Sequence, residues 1–75
     1  MPPVPQVKGD RVLRALRRAG WEVDRVHGSH HVMVHPGRPG ETLVVPVHTK
    51  ELKRGTLADI LDRAGLTIDE FKELL

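Results

Sequence analysis

The chain has 75 residues, no cysteine, 39% hydrophobic residues and a formal net charge of +2, which bounds it to one small domain with neither a disulfide framework nor a thiolate metal site. No stretch is long enough to cross a bilayer, and Met1 to Val7 lacks the apolar run of a signal peptide, so the expected setting is the cytoplasm, with no membrane partner. The charge is uneven: Met1 to Arg38 carries seven Lys or Arg against three acids, and Pro39 to Leu75 carries five against seven. A polyanion would be drawn to the first half, although a solvated surface accounts for the charge equally well.

Met1-Pro2-Pro3-Val4-Pro5-Gln6-Val7 reads as a proline-rich, extended or frayed tail, and residues 8–75 as the single domain. From Asp10 to Ala19, the residues Val12, Leu13, Ala15, Leu16 and Ala19 recur at helical spacing, and Gly20 suits a left-handed residue after the helix. Arg11, Arg14 and Arg18 form a basic stripe on that helix, either solvated or laid along phosphates.

Trp21 to Val26 alternates apolar and polar residues through Asp24, the period of a half-buried strand with Trp21 and Val23 toward the helix. His27-Gly28-Ser29 makes a turn, and His30 to His35 returns as a second strand, with His30, Val32 and Val34 on one face and His31, Met33 and His35 on the other. Pro36 to Gly40 is a loop with two Pro-Gly signals, and Glu41 to Val47 a third strand in which Pro46 belongs near an end or edge. A polar connection from His48 to Gly55 leads to a second helix with Thr56 as its expected cap and Asp59 three residues on; Gly65 ends it. Thr67 and Glu70 repeat the device and open a short last helix containing Phe71, Leu74 and Leu75. The fold class is α+β, in the order α-β-β-β-α with a short C-terminal helix. An antiparallel three-stranded sheet with helices on one face buries these stripes most economically.

Four of the five histidines, His27, His30, His31 and His35, fall within ten residues. They are candidate metal ligands. However, His31 and His35 lie about 13 Å apart along a strand at about 3.3 Å per residue, and His30 and His31 point to opposite faces, so a shared ion would need His27, His48 or a carboxylate. The other reading is proton transfer. Imidazole titrates near neutral pH, and RNA cleavage by its own 2′-hydroxyl requires a base, an acid and positive charge at the phosphate, with no covalent protein nucleophile and no metal. Gly28 would admit a nucleic-acid backbone, and the Ser29 hydroxyl would donate to a phosphate oxygen.

Three segments in this order, Gly28-Ser29-His30-His31-Val32-Met33-Val34-His35-Pro36, Val45-Pro46-Val47-His48 and Glu51 to Leu66, together with Arg18-Ala19-Gly20-Trp21, resemble the HicA (YcfA-like) family of toxin ribonucleases. The resemblance covers nearly the whole chain after the tail. It implies a double-stranded-RNA-binding-domain-like fold, mRNA as substrate, metal-independent cleavage without a cofactor, and a HicB-type antitoxin that covers the active-site histidine. It assigns the catalytic histidine to His30, straight after the Gly-Ser turn. His31 is the second candidate, because some members carry their only histidine one position later. Many relatives have a basic residue where this chain has Val34, which shifts expected RNA binding to Arg25, Lys50, Lys53 or the first-helix arginines, beside Gly28 and Ser29 at the turn. The free form is expected to be a monomer or weak dimer. A non-catalytic RNA-binding module and an accessory protein offering a sheet edge to a partner are the alternatives from other classes.

Overall fold

The computed structural model describes residues 3–75, in the order α1 (Gly9–Arg18), β1 (Glu22–His27), β2 (His30–Val34), β3 (Thr42–Pro46), α2 (Arg54–Ala64) and α3 (Ile68–Leu74). Helix α1 forms because Val12, Leu13, Ala15 and Leu16 make one buried stripe, with Asp10 in the first turn and Arg17 and Arg18 in the last complementing the helix dipole. It stops at Gly20, whose φ of 100° lets Gly20 N–H reach Arg17 O at 3.0 Å and Trp21 N–H reach Leu16 O at 3.0 Å. That pair of bonds satisfies carbonyls the helix would otherwise leave open, and it turns Trp21 back into the core.

The three strands form an antiparallel meander in the order β1-β2-β3. Met33 on β2 pairs with Val23 on β1 and Leu43 on β3, and His31 pairs with Val45. Met33, Leu43 and Val45 join Val12, Leu16, Trp21, Leu57, Leu61 and Phe71 in one core, with α1 and α2 against the sheet and α3 packed on those two helices. The other face carries His30, Val32 and Val34 beside Pro46, Val44 and Thr42. Val44 there is 49% exposed, and Val32, although buried, stands outside the core cluster.

Strand β1 breaks its alternation at Asp24, where the register shifts by one residue between Val23 and Arg25. Simple period-2 counting from Trp21 and Val23 would put Arg25 against the helices. The bulge sets Arg25 opposite Val32 instead and His27 opposite His30, both on the open face, while Val26 turns to the helix side opposite His31.

Two expectations need correction. Thr56 does not cap α2: the helix starts at Arg54, with Lys53 at the cap position and no side-chain bond there, and Asp59 pairs with Arg63 at 3.0 Å instead. The start is set by tertiary anchoring, because Leu52 is buried and its N–H donates to Val7 O at 2.9 Å, fixing the chain just before the first helical bond from Leu57 N–H to Lys53 O. Val7, in the stretch expected to fray, is buried in the core, and Val4 packs against it. Met1 and Pro2 of that tail lie outside the described residues. Thr67 and Glu70 do form the expected reciprocal cap of α3, with bonds of 3.0 and 3.1 Å.

Candidate functional site

The chemistry-bearing residues gather at the turn end of the sheet. Gly28 and Ser29 connect β1 to β2 as a two-residue loop, with Gly28 at φ 59° and Ser29 without positive φ. This is the II′ pattern, whose first position favours glycine, and its twist matches that of the flanking strands. No atom lies within 4 Å of where a Gly28 side chain would begin, so the outer surface of the turn is open.

Ser29 O holds the turn to the rest of the sheet. It accepts from Val47 N–H at 2.7 Å, tying the hairpin to the end of β3, and from His31 Nδ1 at 3.3 Å. A carbonyl only accepts, so this contact has the proton on His31 Nδ1. The end of β3 is in turn backed by α1. Gly9 packs so closely that a Cβ there would stand 2.2 Å from Pro46 O and 2.9 Å from Val47 Cα.

His30 and His31, adjacent in sequence, are therefore separated by the sheet. His30 is exposed on the open face with His27 directly opposite and Arg25 two residues along β1. Among the described residues its ring makes no hydrogen bond, whereas His31 is half-buried on the helix side between Val26 and Val45. Arg25 places its guanidinium 3.1 Å from Asp24 Oδ2. Lys50 and Lys53 are not on the sheet. They line a shallow cleft of about 520 Å³ with Pro46, His48, Thr49, Glu51, Leu52 and Thr56, and Pro46 is the β3 residue paired with His30. The cleft thus adjoins the histidine end of the sheet.

His35 leaves the group altogether. Gly37 N–H donates to its Nδ1 at 2.9 Å, and its Nε2 lies 3.1 Å from Ala19 O. A backbone amide can only donate and a carbonyl only accept, so the two bonds fix the neutral Nε2–H form. Its ring also meets Trp21 edge-on at a centroid distance of 5.2 Å, while Arg38 lies over Trp21 and pairs with Glu41. His35 is a structural brace between α1 and the loop after β2.

Two arginines of the first-helix stripe have protein partners as well. Arg14 pairs with Asp10 at 3.6 Å, and Arg18 donates to Leu74 O at 2.5 Å and Leu75 O at 3.2 Å. Sequence reasoning did not assign roles to Gly9 or the Val47 amide. The close approach at Gly9 has no local signature, since glycine beside a helix start reads as an ordinary cap.

Among the described residues, no helix is long and apolar enough to cross a membrane, and no group of three or more His, Cys, Asp or Glu is disposed to hold a metal ion.

The family model described as HicA toxin of bacterial toxin-antitoxin matches residues 9–66. The chain belongs to the HicA toxin family. No curated protein matches it. The HicA match runs from the first residue of α1 to just beyond α2, so it contains the whole sheet, the Gly28-Ser29 turn and the basic cleft. As a HicA-family chain it is a toxin of a toxin-antitoxin system and has an antitoxin partner.

Proposed function

We propose that this toxin is an endoribonuclease that cleaves mRNA through histidine acid/base catalysis, needing no metal cofactor, and that a HicB-type antitoxin neutralises it in the cytoplasm by covering the turn end of the sheet. The reading rests on the pair His30-His31 presented by the Gly28-Ser29 turn within a chain of a toxin family. In the reaction, a base takes the proton of a ribose 2′-hydroxyl, the oxygen attacks the adjacent phosphorus, and the bond to the 5′-oxygen breaks. An acid then protonates the leaving 5′-oxygen, which yields a 2′,3′-cyclic phosphate and a 5′-hydroxyl.

His30 takes the proton-transfer role, with His31 the second candidate. His30 favours the role by its exposure, and His31 by the bond to Ser29 O that orients its ring. The open surface at Gly28 admits the RNA backbone, and the Ser29 hydroxyl together with Arg25, Lys50 and Lys53 meets phosphate oxygens.

The test is cleavage of a defined RNA in EDTA by the purified chain, compared with His30→Ala and His31→Ala. Loss of about 10²–10⁴-fold in one variant is expected from removing an acid or base. Undiminished cleavage in both variants overturns the mechanism, and salt-sensitive binding without any cleavage identifies an RNA-binding module instead. Growth arrest on expression, relieved by co-expression of a HicB-type protein, tests the antitoxin assignment.

A further inference from the structure

The cleavage reading uses His30 and leaves His27 without a role, yet the register sets these two residues directly opposite each other across the Gly28-Ser29 turn. They close the two-residue loop, and residues flanking such a loop form the hydrogen-bonded pair of an antiparallel ladder, with Cα atoms about 5.5 Å and Cβ atoms about 5 Å apart. Both side chains are exposed on the open face of the sheet, and neither imidazole makes a hydrogen bond among the described residues. Without the Asp24 bulge, His27 would face the helices; the bulge puts it on the same side as His30.

We propose that His27 and His30 together form a two-imidazole site for a divalent transition-metal ion of the zinc, nickel or copper class. Two ring nitrogens, each about 2.0–2.1 Å from a tetrahedral ion, are about 3.4 Å apart, a separation that two imidazoles rooted on Cβ atoms about 5 Å apart reach by ordinary χ rotation. Imidazole is a ligand of choice for these ions and a poor one for magnesium or calcium, so the site discriminates by ligand chemistry. The remaining coordination positions belong to water, because no third histidine or carboxylate is grouped with the pair among the described residues. His31 points to the opposite face, and His35 is committed through both ring nitrogens to Ala19 and Gly37. Arg25 shares the face and opposes cation binding, but its guanidinium is drawn toward Asp24. A site with two protein ligands and an open water-filled side is a reversible one.

The site does not depend on the cleavage reading. If His30 is also the reacting group, an ion held there occupies its lone pair, and zinc acts as a reversible inhibitor relieved by EDTA.

The experiment is a titration of the untagged chain with zinc chloride, followed by calorimetry and by the histidine ring signals in NMR. Saturable binding of one ion is expected, with the His27 and His30 rings shifting together and the His35 ring unmoved. Replacement of either residue, as His27→Ala or His30→Ala, should weaken binding at least tenfold, while His48→Ala leaves it intact. Magnesium should move none of these signals. Both residues are exposed, and unchanged amide spectra would certify that the variants are folded. Zinc binding that survives His27→Ala, or the absence of any zinc-dependent shift at His27 and His30, overturns the proposal. Either result is read without RNA and leaves the cleavage mechanism to its own test.

Discussion

Replacing Gly9 with alanine tests how the turn end of the sheet is held. The added methyl would stand 2.2 Å from Pro46 O, 2.9 Å from Val47 Cα and 3.1 Å from Pro46 C, all backbone atoms that cannot rotate aside. Overpacking of this kind costs about 1–3 kcal/mol. Alanine returns about 0.5–1 kcal/mol through its lower backbone entropy in a helix, so a net loss of about 1–2 kcal/mol is expected. A small domain whose core supplies about 3–5 kcal/mol feels this strongly, and at about 4–8 °C per kcal/mol the midpoint should fall by about 5–15 °C. Thermal and urea unfolding followed by circular dichroism would measure it. Gly55→Ala is the control, since Gly55 also lies in a helix but has nothing within 4 Å of its Cβ position; it should be neutral or slightly stabilising. The relief of strain in Gly9→Ala has to push Val47 away and stretch its 2.7 Å bond to Ser29 O, so the amide signals of Ser29 to His31 should shift too. Equal stability of the two variants would refute the close-packing argument.

Three further outcomes follow from the geometry. Deleting Asp24 removes the extra residue of the bulge and leaves Val23, Arg25, Val26 and His27 alternating as they already face, so the deletion should fold; deleting Val26 instead should disrupt the pairing of His27 with His30, as amide spectra would report. Long-range nitrogen–proton NMR should find His35 as the Nε2–H form, and His35→Ala, which frees Ala19 O and Gly37 N–H, should cost about 1–3 kcal/mol in urea unfolding; an Nδ1–H ring would contradict the bonding pattern. Glu70, which accepts the Thr67 backbone N–H and takes part in the reciprocal bond with the Thr67 hydroxyl, has its carboxyl held below the ordinary 4.5. Its stabilisation is therefore complete above the unfolded pKa and lost as the pH falls below 4.5 through the folded one, so Glu70→Gln should flatten the acid limb of the stability profile.

The elements were legible in the sequence because each stripe of apolar residues has its own period. Val12, Leu13, Ala15 and Leu16 announce α1, Gly20 and Gly65 mark the ends of the first two helices, and Thr67 with Glu70 marks the start of α3. Lys53 and Thr56 show where local signals fail: the capping residue was in place, but the burial of Leu52 against Val7 started α2 three residues earlier. The faces of β2 were legible from alternation, but those of β1 only up to Asp24. Alternation decides a face by counting, and one bulged residue inverts the count for the rest of its strand. Arg25 and His27 therefore reached the face of His30 through a backbone irregularity that their own identities do not encode. Likewise, His35 looked equivalent to its neighbours until Gly37 and Ala19, two and sixteen residues away, supplied its partners.

The separation of His30 from His31 by the sheet turns a question about two adjacent residues into one about two surfaces. An RNA lying on the open face meets His30 in the company of His27 and Arg25. One approaching from the helix side meets His31 beside Val26 and Val45, with its ring aligned by a carbonyl that Val47 also holds. Neither histidine can lend its neighbours to the other, because side chains on opposite faces do not converge on one phosphate. The functional consequences must then segregate by face. If His30 carries the proton, removing the Arg25 charge weakens cleavage, while shifting Val47 through Gly9→Ala affects it only through stability. If His31 does, the order reverses, because its ring alignment depends on Ser29 O and hence on where α1 and β3 hold the turn.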